Sequence, residues 1–388
     1  MIEKDFYKLN EICNITTGKL DANAMTPKGK YPFYTCDPTP SRIDNYAYDL
    51  ECVLIGGNNA AGNFPINYYK GKFNAYQRTY IISVKEGINL DTLFIYYLLK
   101  QELYNLKMRS RGSLTKFLTI GMLNDIKVPK LTKQEYADIT KLISIYDFTI
   151  KNNKNIVHKL EEYTQLKYYK WFTEFNFLTP DKKPYKESGG KMKSIGGKSI
   201  PEKWEIVKLG EWEKAKLIKS GIQEYSGEKG YLTTSNIDGT NILWETEKVT
   251  YRNRTSRANM QPISQSVWFA KMKNSPKTIF VTEESLINDF ILSTGFAGIK
   301  CDINSFPYIA TYINSELFNK EKDRRSNGST QQAINNKSIK KIDILKPDDI
   351  TLRNFSQEIY PLYLQMDVLK HQNKILEEKR DILINELI

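Results

Sequence analysis

An internal duplication of about 190 residues constrains this chain more than any other feature, because whatever one copy folds into must suit the other. DFYKLNEIC at 5–13 is echoed by WEIVKLGEW at 204–212, and YPFYTCD at 31–37 corresponds in position to GYLTTSNI at 230–237. The strand-like stretch 52–84 answers 266–300. Each copy then offers a short helical segment, 93–106 and 307–318, followed by a basic Gly-Ser loop, 108–119 and 324–334. Each loop leads to an apolar strand ending at a proline, IKVPK at 126–130 and IDILKP at 342–347. A long helix closes each half.

The long helices carry the clearest periodicity. In the first, Ile139, Ile143, Tyr146, Ile150, Asn153, Val157 and Leu160 step alternately by four and three. In the second, Phe355, Ile359, Leu362, Met366, Leu369, Asn373, Leu376, Arg380 and Leu383 do the same. Such a seam needs a partner helix to bury it, and the two seams are natural partners for each other. Each contains one Asn, a residue that fixes register at some cost in stability. Pro361 lacks a backbone donor, so the second helix is expected to start or bend near Tyr360. The segment 178–200, rich in Gly, Lys, Ser and Pro, reads as an exposed linker. The expected division is therefore 1–132, a helix over 133–177, the linker 178–200, then 201–348 and a helix over 349–388.

The formal net charge of +12 is spread along the chain rather than gathered in a tail, which suits a polyanionic partner. No apolar run approaches the roughly 20 residues of a membrane span, and MIEKDFYKLN carries no apolar signal region, so a cytoplasmic chain without a membrane partner is expected. Cys13, Cys36, Cys52 and Cys301 form no C-x-x-C pair and read as reduced thiols; only His158 and His371 could serve a histidine metal site.

Catalytic motifs are missing. Asp37-Pro38-Thr39-Pro40 lacks the adjacent prolines and the aromatic that an amino-methyltransferase would stack on a flipped base, and reads as a turn. There is no phosphate-cradling G-x-x-x-x-G-K-[ST] loop. Asp348, Glu377 and Lys379 imitate a metal-nuclease pattern, but the latter two flank the seam residue Leu376, where charges are usually solvated.

Base edges are read by Arg, Lys, Asn and Gln, and phosphates are held by Arg, Lys, Ser, Thr and backbone amides. The first half concentrates these residues at Asn58, Asn59, Asn63, Lys70, Lys72, Gln77, Arg78, Arg109, Arg111, Ser113 and Lys116. The second half offers Arg252, Arg254, Lys271, Lys273, Asn274, Arg324, Arg325, Asn327, Ser329, Gln331 and Gln332. Arg109, Arg111 and Ser113 recur as Arg324, Arg325 and Ser329 at the same point of the repeat, which places those loops on nucleic acid. Between the halves, GGNNAAGNFPINYYKGKF has little in common with AKMKNSPKTIFVTEESLIND. A common frame with unlike reading segments suits an asymmetric, two-part target.

These residues resemble the specificity subunit of type I restriction-modification enzymes. The carriers are WFTEFNFLTPDKKPYKESGGKM at 171–192, IPEKWEIVKLGE at 200–211, GSLTKFLTIGMLNDIKVPKLTKQE at 112–135, FAKM at 269–272 and STGF at 293–296. The resemblance implies an α+β target-recognition domain in each half, separated by an antiparallel coiled coil of two long helices. It implies double-stranded DNA as target, and two modification (methyltransferase) subunits and restriction subunits as partners. S-adenosylmethionine, ATP and Mg would then sit on the partners, leaving this chain without cofactor, metal or catalytic residue. The segment 328–354 is looser than its first-half counterpart. A stand-alone sequence-specific DNA-binding protein, or a coiled-coil assembly scaffold without DNA specificity, are the alternative readings.

Overall fold

The computed structural model describes residues 5–59, 64–109, 117–244, 246–328 and 332–387. The chain divides into two compact units, Met1–Thr149 with Leu376–Ile388, and Ile150–Ile375. These limits fall inside the two long helices, Lys133–Phe172 and Asp349–Leu387, because each unit keeps the turns that pack on it.

The first unit is built on a six-stranded sheet, in spatial order Cys13–Thr17, Thr79–Val84, Tyr48–Gly56, Ile66–Ala75, Tyr31–Tyr34 and Ser41–Ile43. All neighbours are antiparallel except Tyr31–Tyr34, which runs parallel to the end of Ile66–Ala75. Side chains alternate faces along a strand. Val53 and Ile55 accordingly join one core with Ile82 and with Phe94, Ile95, Leu98 and Leu99 of the helix Thr92–Arg109. Cys52 and Leu54 join the opposite core with Tyr34, Phe73 and Ile81. A separate antiparallel pair, Phe6–Lys8 with Lys127–Pro129, ties the start of the repeat to its end.

The second unit repeats that pair as Glu205–Lys208 with Asp343–Lys346. Its main strands form two four-stranded sheets. One has the order Ala215–Leu217, Phe296–Cys301, Ser266–Ala270, Thr278–Val281, and the other Glu247–Val249, Lys229–Leu232, Phe290–Ser293, Ala258–Met260. The ten-residue strand Ile66–Ala75 of the first unit serves both an antiparallel and a parallel neighbour. In the second unit those duties fall to two strands, Thr278–Val281 and Phe290–Ser293, parted by Glu283, Glu284 and the short 3-10 turn Leu286–Asp289. The helical segment over 307–318 is likewise two helices, Phe306–Ile313 and Glu316–Arg324, with Ser315 capping the latter through the Phe318 amide.

Capping sets where the long helices begin. Thr132 and Glu135 exchange side-chain and backbone bonds in a capping box ahead of Lys133. Asp348 accepts the amides of Ile350 and Thr351 at 3.1 and 2.9 Å, and also the indole N–H of Trp204 at 2.9 Å. Its carboxylate is thus engaged as a cap, so the nuclease-like pattern has a structural occupant. Of the two outcomes expected at Pro361, a start or a bend, a start near Tyr360 is not found. The second helix begins at Asp349, and Pro361 sits on its exposed side, while Phe355, Ile359 and Tyr363 bury their side chains to either side of it.

Within the second unit the two helices run antiparallel. Asn153 Nδ2 donates to Asn373 Oδ1 at 3.0 Å, both residues being buried, and Lys167 pairs with Glu358 at 2.5 Å. Val157 and Leu160 pack in one core with Ile359, Leu362, Met366 and Leu369. Within the first unit, Ile143 meets Ile384 and Tyr97, with Ile139 and Leu383 against them, and Arg380 bonds Asp147 at 2.7 Å. Ile150 is buried, and Tyr146 and Leu376 are half-buried.

The segment 178–200, read as an open linker, is folded. Phe177 stacks between Tyr185 and Trp204, at 4.6 and 4.8 Å between ring centroids, and Met192–Ile195 pairs with Lys198–Pro201. Its polar, Gly-rich composition reports its exposed side chains. The few aromatic anchors that fix it were outweighed in the sequence.

Candidate nucleic-acid interface

In the first unit, three chain segments meet at one end of the sheet. The Gly57 amide donates to Arg78 O at 2.8 Å, the Leu118 amide to Gly57 O at 2.9 Å, and the Tyr80 hydroxyl to Leu118 O at 2.8 Å. They enclose an open depression of about 300 Å³ lined by Thr17, Gly57, Gln77, Arg78, Tyr80, Phe117 and Leu118. Phe117, absent from the sequence-based candidates, is 56% exposed at its rim and bridges Asn58 by backbone pairing. An exposed ring beside amide and guanidinium groups can stack on a base while the polar groups meet edges or phosphate.

Gln77 is aimed by Asp21, whose carboxylate accepts its Nε2–H at 2.9 Å. Asn58 and Asn59 are half-buried at the edge of this cluster. Lys70 and Lys72 are not brought to it. They stand along the strand Ile66–Ala75, Lys70 ion-paired with Glu51 at 2.8 Å and Lys72 over the Tyr46 ring at 4.7 Å. Asn63, Arg111, Ser113 and Lys116 lie outside the described residues, as does the side chain of Arg109, whose backbone ends the helix Thr92–Arg109.

In the second unit the candidates converge around one loop. Residues 271–273 lie against 332–334: the Lys273 amide donates to Gln332 O at 2.9 Å, the Ile334 amide to Lys271 O at 2.9 Å, and Lys273 Nζ reaches Gln332 Oε1 at 2.8 Å. Asn327 pairs antiparallel with Ala333 beside it. Asn274 holds a left-handed backbone, φ 55°, with its amide on Asp323 Oδ1 at 3.1 Å. Lys271 is half-buried, and burial together with the nearby Arg257 pushes its pKa below the ordinary lysine value. An arriving phosphate would relieve that like-charge contact.

Arg324 and Arg325 share one carboxylate. Arg324 donates to Glu321 from Nε and Nη2 at 2.9 and 2.8 Å, and Arg325 Nε bonds the same group. The hydrogen bond from Arg324 is the main reason the Glu321 carboxyl titrates below its usual range. Arg252 and Arg254 stand on a separate turn, where the Arg254 guanidinium lies 4.2 Å from the Tyr251 ring centroid. Ser329 and Gln331 lie outside the described residues. Missed by the sequence reading were Lys322 and Asp323, in a run of charges that reads as a solvated helix end.

Among the described residues, no group of three or more His, Cys, Asp or Glu could hold a metal ion, and no helix is long and apolar enough to cross a membrane. Residues 1–162 match the family described as Type I restriction modification DNA specificity domain. A type I restriction enzyme EcoDI specificity subunit of Escherichia coli is 37% identical over 159 residues, 41% of this chain and 34% of that protein. The chain resembles the type I specificity subunits. The likeness to the MjaIX specificity subunit of Methanocaldococcus jannaschii is 22% identical over 342 residues, 78% of this chain and 69% of that one, and so enters both units. A crystal structure of the type I restriction-modification S subunit from M. genitalium shares the fold, with a TM-score of 0.60 at 15% identity over 100% of this chain and 97% of that one. The match to the EcoDI specificity subunit spans about a third of that protein's length. The matched specificity domain, 1–162, takes in the whole six-stranded sheet and the depression at its end.

Proposed function

We propose that this chain is the sequence-specific DNA-binding specificity subunit of a type I restriction-modification complex, reading an asymmetric bipartite duplex target. The observation that carries the proposal is the pairing of a shared frame with two unlike polar loop clusters, one around Gln77, Arg78 and Phe117 and one around Lys271, Lys273 and Asn274. Two target-recognition domains, 1–132 and 201–348, would each read a short half-site. The helices over 133–177 and 349–388 would form the antiparallel coiled-coil spacer, joined across 178–200. A helix of 40 residues is about 60 Å long, nearly two turns of duplex, which suits a spacer that sets the number of unread base pairs.

In this reading the chain has no catalytic residue. Two modification subunits would bring S-adenosylmethionine and methyl transfer, restriction subunits would bring ATP and Mg, and the complex would work in the cytoplasm. Specificity arises from Lys, Arg, Asn and Gln at base edges, and affinity from phosphate contacts with steep salt dependence.

Selection of duplexes from a random pool by the full chain tests this. The expected result is enrichment of two short, dissimilar motifs at a fixed gap. Arg78→Ala should cost about 1–3 kcal/mol of discrimination in one motif, and Lys273→Ala the same in the other. Failure to enrich any motif would leave the coiled-coil scaffold as the better reading.

A further inference from the structure

Lys322 is the most deeply buried charge among the described residues, 1% exposed, on the last turn of the helix Glu316–Arg324. Lysine almost never buries itself unpaired. Here its ammonium donates to three main-chain carbonyls of one loop, Ser275 O at 2.8 Å, Met272 O at 3.2 Å and Ala270 O at 3.5 Å. Its neighbour Asp323 takes the Asn274 amide at 3.1 Å and stands 3.7 Å from the ammonium. Two consecutive side chains thus hold a six-residue loop by its backbone, leaving the side chains of Lys273 and Asn274 exposed. Burial pushes the Lys322 pKa down, and Asp323 opposes that shift.

A solvated loop at this place would need no such device. A charge removed from water costs several kcal/mol, recovered only if its partners stay in place. The three carbonyls must therefore keep nearly fixed positions, and with them the left-handed turn at Asn274. Base discrimination requires the same fixity, because a side chain that wanders by an ångström loses a bidentate contact.

We propose that Lys322, seconded by Asp323, is a positioning residue for sequence readout: an internal cation that sets the shape of the Ala270–Ser275 loop so that Lys273 and Asn274 meet base edges in one register. This rests on the DNA-reading function proposed above. It assigns a specificity-determining role to a residue that touches no DNA.

The test uses the full chain and the duplex it selects, titrated against single-base changes in each motif. Lys322→Met should lower discrimination about tenfold or more in the motif read by the second unit, with the other motif changed less than about twofold. Lys322→Arg, which keeps the charge and donors, should restore most of it. Asp323→Ala, which removes the Asn274 anchor and leaves the three carbonyl partners of the ammonium in place, should cause a smaller loss in the same motif, and it decides the question if Lys322→Met does not fold. Folded variants of either kind that discriminate like the parent would overturn the proposal. If the parent selects no motif, the DNA-reading function fails instead. Amide exchange at residues 272–275 then judges the positioning role alone: it stands if protection is lost in Lys322→Met and falls if protection persists.

Discussion

In the first unit, the segments that carry Gln77, Arg78 and Phe117 are fastened by main-chain hydrogen bonds at the end of a continuous sheet, running from Arg78 through Gly57 to Leu118. In the second, the loop carrying Lys273 and Asn274 turns between the paired strands Ser266–Ala270 and Thr278–Val281 and is fastened by main-chain bonds to 332–334 and, in addition, by a helix, through Lys322 and Asp323. The same frame therefore supports its two loop clusters in two ways. In the first unit, backbone pairing fastens the segments, and its described residues include no buried charge comparable to Lys322. In the second unit a buried charge is added to the backbone pairing, and the loop between Ser266–Ala270 and Thr278–Val281 is held from a helix as well. Repeated recognition units can diverge in what they read because the support, as well as the reading segment, is replaceable.

The contrast breaks most visibly at the helix that does the bracing. Phe318 is fully buried beneath it, 4.8 Å from the Phe269 ring and 5.5 Å from that of Tyr312. Phe318→Ala should cost about 3–5 kcal/mol of unfolding free energy, measured by denaturant titration, because it opens a cavity under the only turn that holds Lys322. A cost below about 1 kcal/mol would mean that the loop, and not the helix, carries the attachment.

The first unit answers to a different residue. A Cβ on Gly57 would lie 2.8 Å from Tyr80 Cε2 and 2.9 Å from Arg78 O. The backbones approach that closely because they are paired, so Gly57→Ala should cost about 1–3 kcal/mol through overpacking. Binding should weaken at the first unit's motif alone. Loss at both motifs would show that the two clusters do not act independently.

Much of this frame was legible in the sequence, for physical reasons. Burial imposes a period on side chains, so the four-three stepping of both long helices announced itself, and the strand-like stretch 52–84 was marked by its place in the repeat. The single Asn in each seam even marked the pair Asn153 and Asn373 that meets in the second unit. Hydrogen bonding that runs against residue type was not legible. A lysine in EKDRR reads as solvent-facing, yet Lys322 is inside, because the carbonyls that receive it come from residues about 50 positions earlier. Pro361 lies inside the second helix and not at its start: a helix whose flanking turns are buried absorbs the loss of one donor, which local propensity does not foresee. Arg324 and Arg325 were expected on nucleic acid from their place in the repeat, and the ion pairs that Glu321, one helical turn earlier, makes with both were not foreseen.

That carboxylate supplies the gentlest way to sharpen the contrast. The Glu321 pKa lies below its ordinary 4.5, chiefly through the Arg324 hydrogen bond. A depressed carboxyl adds stability that is present above the unfolded-state value and is lost as pH falls through the folded-state value, so the effect belongs below pH 4.5. Arg324 is largely exposed, so solvent screens its part of the pairing and the contribution is small. Glu321→Gln should therefore destabilise the chain slightly at neutral pH, and the gap from the parent should close as the pH is lowered past that range. The same substitution releases two guanidinium groups beside the braced loop. Binding to unselected duplex should then tighten a few-fold at low salt, and the gain should vanish at higher salt as phosphate contacts are screened. A gap that widens on acidification would mean that Arg324 and Arg325 are held by something other than this carboxylate.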